Sequence, residues 1–393
     1  MPEDWVDAAG HGLRHLCILT TAHPVDDVRV NSKIACSMAA RGVKVTWVGP
    51  ERSYFSATAT PNDDVTYLFT RPTQGRLGRL VAARRAVKTA STLGRVDWWY
   101  SPDPDAAYAA LWLARRRGGR VVFDIHEVYH GSLIDRWLFG RRLTVIRELT
   151  RRAIEHISSR AHLVIGVSGA VLAPYTTESD EVLVVRNCAP LWFAEVIPQP
   201  DDASKGALRV MHGKVLPSNG TSRVLDALQI ADDCTGHIKV VMSFATSNHE
   251  SPFVASVKER VRTSLPLQRS VEFVGGVPHE QMPILMSSGS VGMIAYGRGL
   301  GEDSLPNRLF EYMAAGLAIL APSYSSEIKV IVDDERIGLT VDFDDPQAIA
   351  QALMWFRDHR DETARMGLRA RTAFIERHNW EMEANKLFEA LER

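Results

Sequence analysis

The run Ser304-Leu305-Pro306-Asn307-Arg308-Leu309-Phe310-Glu311-Tyr312-Met313-Ala314-Ala315-Gly316 sets a carboxylate about one turn beyond a prepared helix start. Pro306 suits the first helical position, where its missing N–H would have no partner anyway. Ser304 lies just upstream, where a hydroxyl can cap. Leu309, Met313 and Gly316 share one helical face and are predicted to pack inward, with Glu311 on a different side. A helix start offers bare N–H groups and the positive end of the dipole to an anion such as a phosphate. A carboxylate one turn later can accept both hydroxyls of a ribose. The chemistry predicted is a grip on a nucleoside diphosphate by Ser304, Leu305, Pro306, Arg308 and Glu311. An ordinary amphipathic helix with a surface Glu is the alternative, and the run as a whole favours the site.

Two other segments carry titratable groups where strands should end. Asp124-Ile125-His126-Glu127 closes a strand candidate, and period-two alternation puts Asp124 and His126 on one side of it. A neutral imidazole there can hydrogen-bond a sugar hydroxyl, and its charged form can offset developing charge. Asp124 is either the group that orients His126 or an inward structural Asp. His23-Pro24-Val25-Asp26-Asp27-Val28-Arg29 follows the first strand candidate. His23, Asp27 and Arg29 place donors and acceptors where sugar hydroxyls could be read. Equally, the segment is a polar loop with Asp27 capping a helix.

The elements that must hold these residues alternate. Leu16–Thr20, Val43–Val48, Val96–Tyr100, Arg120–Ile125, Leu163–Val167 and Val182–Val185 read as strands, with helical patterns between, the first from about Val30 to Ala40. Strands separated by helices imply parallel βαβ units in a doubly wound α/β sheet. Pro190 to Gly206, with three prolines and an Asp pair, reads as a linker. The logic then repeats with strands at 208–212, 238–244, 271–274, 291–295 and 318–321, and helices that include 222–229 and 280–286. From Gln347 onward the pattern is helical, with a break near His378-Asn379-Trp380. The expected division is a first domain over 1–192, a linker over 193–206 and a second domain over 207–377.

On the Ser304–Gly316 run, the chain resembles the GT-B glycosyltransferases, specifically the retaining glycosyltransferase family 4 and its relatives. The His23–Arg29 loop and the Asp124–Glu127 segment are similar to acceptor-side segments of that group. The resemblance implies two Rossmann-like domains facing across a cleft, with helix 378–393 packed back on the first. It implies that Glu311 holds the donor ribose, and that Asp303 stands where the family has a second acidic residue. It implies that His126 acts on the transferred sugar and that His23, Asp27, Arg29 and Glu127 meet the acceptor. His212-Gly213-Lys214 and Ser218-Asn219-Gly220 match a segment that neutralises the leaving diphosphate: Gly213 and Lys214 keep the pattern, while Asn219 replaces the second base unless Arg298 or Arg308 substitutes. Val274-Gly275-Gly276-Val277-Pro278-His279-Glu280 matches the turn whose backbone, at Val277, reads a base edge. Ser101 stands where relatives have His.

The activity implied is hexosyl transfer with retention from a nucleoside-diphosphate sugar, UDP-sugar favoured, to an acceptor hydroxyl in bacterial natural-product or polysaccharide biosynthesis. The acceptor expected is an aglycone, a pseudosaccharide or a lipid-linked sugar, with catalysis by His126, Lys214 and Asp303. An epimerase of the same fold, or a degenerate nucleotide-sugar-binding subunit, are the alternatives. No tightly bound cofactor and no metal are expected; Asp103-Pro104-Asp105 has metal-motif spacing but reads as a turn. Ser-His-Asp order, zinc spacing, a Walker loop and Gly-x-Gly-x-x-Gly are not found.

Composition agrees with a globular enzyme. With 393 residues, two domains are expected. Hydrophobic content of 45% and charged content of 24% fit that class. Four scattered cysteines and a start that is not a signal peptide point to a cytoplasmic setting. The net charge of −1 argues against nucleic-acid binding. Residues 1–190 carry 25 Lys+Arg against 19 Asp+Glu, and the rest 21 against 28. That basic front half could meet an anionic acceptor or, peripherally, a membrane surface. Trp98, Trp99, Trp137 and Phe139 could give apolar surface to an acceptor, although core packing is the commoner fate.

Overall fold

The computed structural model describes residues 13–51, 62–73, 76–126, 143–178, 180–197, 206–231, 237–243, 251–298, 301–302 and 304–393. Glu127, Trp137, Phe139 and Asp303 lie outside the described residues. The chain divides into two compact units, one reaching to Arg186 and taking in Glu383–Arg393, the other Asn187–Met382.

The first unit is built on a seven-stranded parallel sheet in the order β3-β2-β1-β4-β5-β6-β7. Its strands are β1 (His15–Leu19), β2 (Lys44–Pro50), β3 (Val65–Thr70), β4 (Trp98–Ser101), β5 (Arg120–Ile125), β6 (Leu163–Gly166) and β7 (Val182–Val184). After Arg120, every residue of β5 is buried, as expected of a central parallel strand covered by helices on both faces. Trp98 and Trp99 are core residues. Their indole N–H groups donate to Leu391 O (2.8 Å) and Gly118 O (3.0 Å).

The helix predicted after β1 is present but opens as a π-helix, Val28–Ala35, before one α-turn, Cys36–Ala39. Asp27 is its N-cap, accepting from Val30 N at 2.8 Å. The wider turn carries Arg29, Asn31 and Lys33 into buried positions. Such π segments concentrate at functional sites.

The second unit repeats the plan with six parallel strands in the order β10-β9-β8-β11-β12-β13. They are β8 (Leu208–Lys214), β9 (Ile238–Ser243), β10 (Val271–Val274), β11 (Val291–Met293), β12 (Ala318–Pro322) and β13 (Gly338–Val341). Alternation along β8 sends Val210 to one apolar cluster and Met211 to the cluster on the other face. In each unit the winding reverses at the strand that starts it, between β1 and β4 and between β8 and β11. Open α/β sheets bind ligands beyond the carboxyl ends of the strands at such a switch. No described helix is long and apolar enough to cross a membrane.

The helix Trp380–Glu392 starts in the second unit, where Trp380 N donates to Ala189 O (2.9 Å). Its last residues belong to the first unit, where Glu383 accepts from Arg186 N (3.0 Å).

Candidate functional site

The switch point of the second unit is assembled by two glycines. Gly292 in β11 has no room for a Cβ, which would lie 2.3 Å from the Tyr312 ring. Its absence lets the helix Asn307–Ala314 lie close against the strand, and Tyr312 OH then reaches Met211 O at 2.9 Å. Gly220 adopts φ +65°, where a Cβ would meet Ala295 O at 2.0 Å, so the loop after β8 is pinned to the end of β11. Gly213 is different: a Cβ there would meet nothing within 4 Å, and the space beside it is open.

The helix corrects three expectations. Pro306 is its N-cap rather than its first residue, at φ −75° and ψ 143°, and no side chain, Ser304 included, caps the start. Every residue from Leu309 to Ala314 is buried, so the helix has no solvent face opposite Leu309 and Met313. Leu305 is buried in the same cluster, and Val277 packs against it, which leaves their main-chain groups as what they can offer a ligand.

Glu311 is therefore not a surface carboxylate: it is 5% exposed. Asn307 Nδ2 donates to Oε1 at 2.7 Å, His279 Nε2 lies 3.4 Å from the same oxygen, and Arg308 Nε lies 3.2 Å from Oε2. His279 is itself held by Phe193, at 5.1 Å between ring centroids, and edge-on by Trp192, at 5.8 Å. Burial works against the Arg308 charge, but the neighbouring Glu311 more than offsets it and the guanidinium pKa is raised. The same guanidinium, with burial as the larger cause, holds His212 down to about 4. His212 is thus a neutral imidazole at the end of β8. Its Nε2 pairs with Thr221 Oγ1 at 3.1 Å, and its Nδ1 is buried without a partner.

Few of the cations expected to meet a diphosphate are free among the described residues. Lys214 is exposed and its ammonium has no partner among the described residues. Asn219 works on the loop itself: Nδ2 donates to Lys214 O at 3.1 Å and Oδ1 accepts from Ser218 Oγ at 3.3 Å. Arg298 is occupied by Asp342 (2.7 Å) and stacks 4.7 Å above the Tyr324 ring.

The first unit brings its predicted residues into one network. Asp124, fully buried, receives Arg29 Nε and Nη2 at 3.0 Å each, His126 Nε2 at 2.7 Å and the hydroxyl of Tyr100. Burial raises a carboxylate pKa, yet Arg29 and His126 together hold Asp124 well below the usual range. The bond through Nε2 leaves Nδ1 of a neutral His126 as an acceptor. Arg29, 5% exposed, also donates to Val185 O at 3.0 Å. That guanidinium is committed to the fold rather than offered to an acceptor. Asp27 is likewise bound to its own helix start.

His23 stands edge-on to His126, with ring centroids 5.1 Å apart. Its Nδ1 lies 3.2 Å from Asp103 Oδ1. Burial opposes its charge, but Asp103 prevails and raises its pKa. Asp103 also accepts from Thr20 Oγ1 (2.6 Å), Thr21 N (2.9 Å) and Arg79 Nη2 (3.2 Å), tying the end of β1 to the end of β4. Sequence reasoning gives no site role to Tyr100, Arg79, His212, His279 or Asn307, and it reads Asp103 as part of a turn. Only Asn307 had a local signal, its i,i+4 spacing from Glu311.

Residues 28–188 match the family model described as Glycosyltransferase Family 4, and residues 251–389 match the one described as Glycosyl transferase-like. The first match covers most of the first unit; the second covers much of the second unit and runs on into residues 383–389 of the first. The chain belongs to the GT-B glycosyltransferases. Solved structures agree on the fold. HepE of Anabaena, crystallised with UDP, is 14% identical, with 96% of this chain and 99% of that one covered at a TM-score of 0.69. Sucrose-phosphate synthase from Thermosynechococcus elongatus is 13% identical, covering 96% and 98% at 0.73. The α,α-trehalose 6-phosphate synthase of Burkholderia multivorans is 12% identical, covering 97% and 96% at 0.67. No curated protein sequence matches this transferase.

Proposed function

We propose that this transferase moves a hexosyl group from a nucleoside-diphosphate sugar, with UDP-sugar the favoured donor, to an acceptor hydroxyl with retention of configuration. One observation carries the reading. A buried carboxylate, Glu311, is held from three sides one turn into a helix whose first amides no side chain caps, next to the open space at Gly213. Uncapped amides suit a phosphate, and an oriented carboxylate suits two vicinal hydroxyls. The preference for uracil rests on HepE, whose crystals hold UDP.

In the reaction, the bond from the anomeric carbon to the diphosphate breaks and a bond to the acceptor oxygen forms. The acceptor proton passes to the departing phosphate oxygen. Lys214 and the backbone N–H groups of Ser304, Leu305, Asn307 and Arg308 take up the negative charge of the leaving group. Val277 offers its main chain to the base. The first unit takes the acceptor, with His23 as a contact and His126, fixed by Asp124, serving turnover. Glu127 and Asp303 keep the acceptor-side and acidic roles the resemblance gives them. The cytoplasm and a biosynthetic pathway are the proposed setting.

Replacing Glu311 by Gln should weaken UDP binding about tenfold or more in calorimetric titration, the worth of a charge-assisted hydrogen bond, with the melting curve still cooperative. Unchanged affinity removes the ribose assignment. Asn219, tied to the loop, leaves the clamp one cation short and favours a second reading, a subunit that binds donor without turning it over. Release of UDP from UDP-sugars against an acceptor panel separates the two, and the anomeric coupling of the product reports retention.

A further inference from the structure

The helix Pro104–Arg117 carries its two aromatic rings on the exposed face. Its buried face is mostly alanine, Ala106, Ala107, Ala109 and Ala110, with Leu111 and Leu113. Its largest apolar side chains face out: Tyr108 is 63% exposed and Trp112 44%. Beside it, the helix Leu143–Ser158 presents Leu149 at 60% exposure. Where the two helices meet, Tyr108, Leu111, Trp112, Arg115, His156 and Arg160 line a depression of about 180 Å³. None of these residues is acidic.

The charge around this depression has one sign. Arg116 stacks on Trp112, 5.1 Å from the ring centroid, Arg117 donates to Leu93 O, and Arg160 donates to His156 Nδ1 at 2.8 Å. None of Arg115, Arg116, Arg117 and Arg160 has a carboxylate partner among the described residues. Glu148 and Glu155 are already paired with Arg151 and Arg152. Arginines in the last turn of a helix favour its dipole, which accounts for part of the Arg115–Arg117 run. It also bears on Arg160, whose Nη1 donates to His156 O at 3.2 Å in the last turn of the neighbouring helix, but it does not account for two aromatic rings in water at i and i+4.

We propose that this face docks the protein on an anionic lipid bilayer. Aromatic rings with one apolar side and one polar edge settle at the headgroup level. Arginines around them gain from the negative surface potential of acidic lipids. A face of this composition lies in the interface plane without spanning it. An apolar protein partner would leave the arginines unmatched, whereas lipid phosphates meet them and the glycerol backbone meets Trp112, Tyr108 and Leu149. The depression has room for one phosphate-bearing headgroup between Arg115 and Arg160.

The test is flotation of the full chain with phosphatidylglycerol-containing vesicles and with phosphatidylcholine vesicles. The expected result is binding to the first alone, weakening as salt is raised. Arg115→Glu with Arg160→Glu should lower that partitioning about tenfold or more, and Trp112→Ser should lower it independently. All variants should keep the wild-type melting temperature and nucleotide affinity, since none touches the nucleotide site. The proposal is overturned by no binding to the anionic vesicles at low salt, equal binding to both kinds, or binding undiminished by the arginine reversals. Retention of a single-stranded oligonucleotide without vesicle binding assigns the face to a soluble polyanion and likewise overturns it.

Discussion

The switch point of the first unit and that of the second are built on the same sheet plan and finished in opposite ways. Beyond β1 and β4 the chain closes its charges on itself. Asp124 is met by Arg29, His126 and Tyr100, and Asp103 by His23, Arg79 and two threonines. Beyond β8 and β11 it leaves things open: a helix start capped by no side chain, an empty flank at Gly213 and a lysine without a partner among the described residues. One end is organised before any ligand arrives, and the other has groups a ligand would have to satisfy. Mutations should therefore separate stability from activity along the chain.

The largest expected effect is at Asp124. Asp124→Ala leaves the Arg29 guanidinium buried without its counter-charge and should cost about 3–5 kcal/mol in urea unfolding. A loss below about 1 kcal/mol would mean the first site is no more closed than the second. Lys214→Ala should show the reverse: kcat/KM falls by about 2–4 kcal/mol of transition-state stabilisation, while stability moves by less than about 0.5 kcal/mol.

His212 sharpens the contrast within the second unit. Its folded-state pKa, about 4, lies below the ordinary 6.5, so between those values the unfolded chain binds more protons. Stability should then climb as pH rises from 4 to 6.5 and be lost as it falls, by up to about 3 kcal/mol. His212→Gln should flatten that stretch of the stability profile, and an unchanged slope would assign it to other groups. For Asp124 and Asp103 the sign is the same but the window lower. Their depressed values give stability that is present above about pH 4 and lost below it. The smallest effect is at Asn219, where Asn219→Ala removes the tie to Lys214 O and should cost about 1 kcal/mol or less.

Local pattern sufficed for the buried strands. β1, β5 and β12 are short apolar runs that nothing but a covered sheet explains. At the sheet edges it was uneven: β7 and β10 were legible, while β3 and β13, whose residues are largely half-buried, were not. The helix Asn307–Ala314 was legible as an element and a site. Its buried circumference was not, because the helix packs against Gly292, fifteen or more residues upstream, and against the Phe374 side of the cluster. Arg29 shows the same limit. Its partner Asp124 lies 95 positions away, and nothing in the His23–Arg29 loop distinguishes a guanidinium that reads sugar from one that neutralises a distant carboxylate. The π-helical turn that buries it has no sequence signature either.

The helix Trp380–Glu392 gives the chain an order of assembly. Leu391 O accepts from the indole of Trp98 in the heart of the first unit, so that unit lacks one of its own parts until the chain has been synthesised through the whole second unit. On the ribosome, the early half must wait, incomplete, for the second unit to emerge. A fragment ending at Arg186 should behave as an unfinished body rather than as a domain.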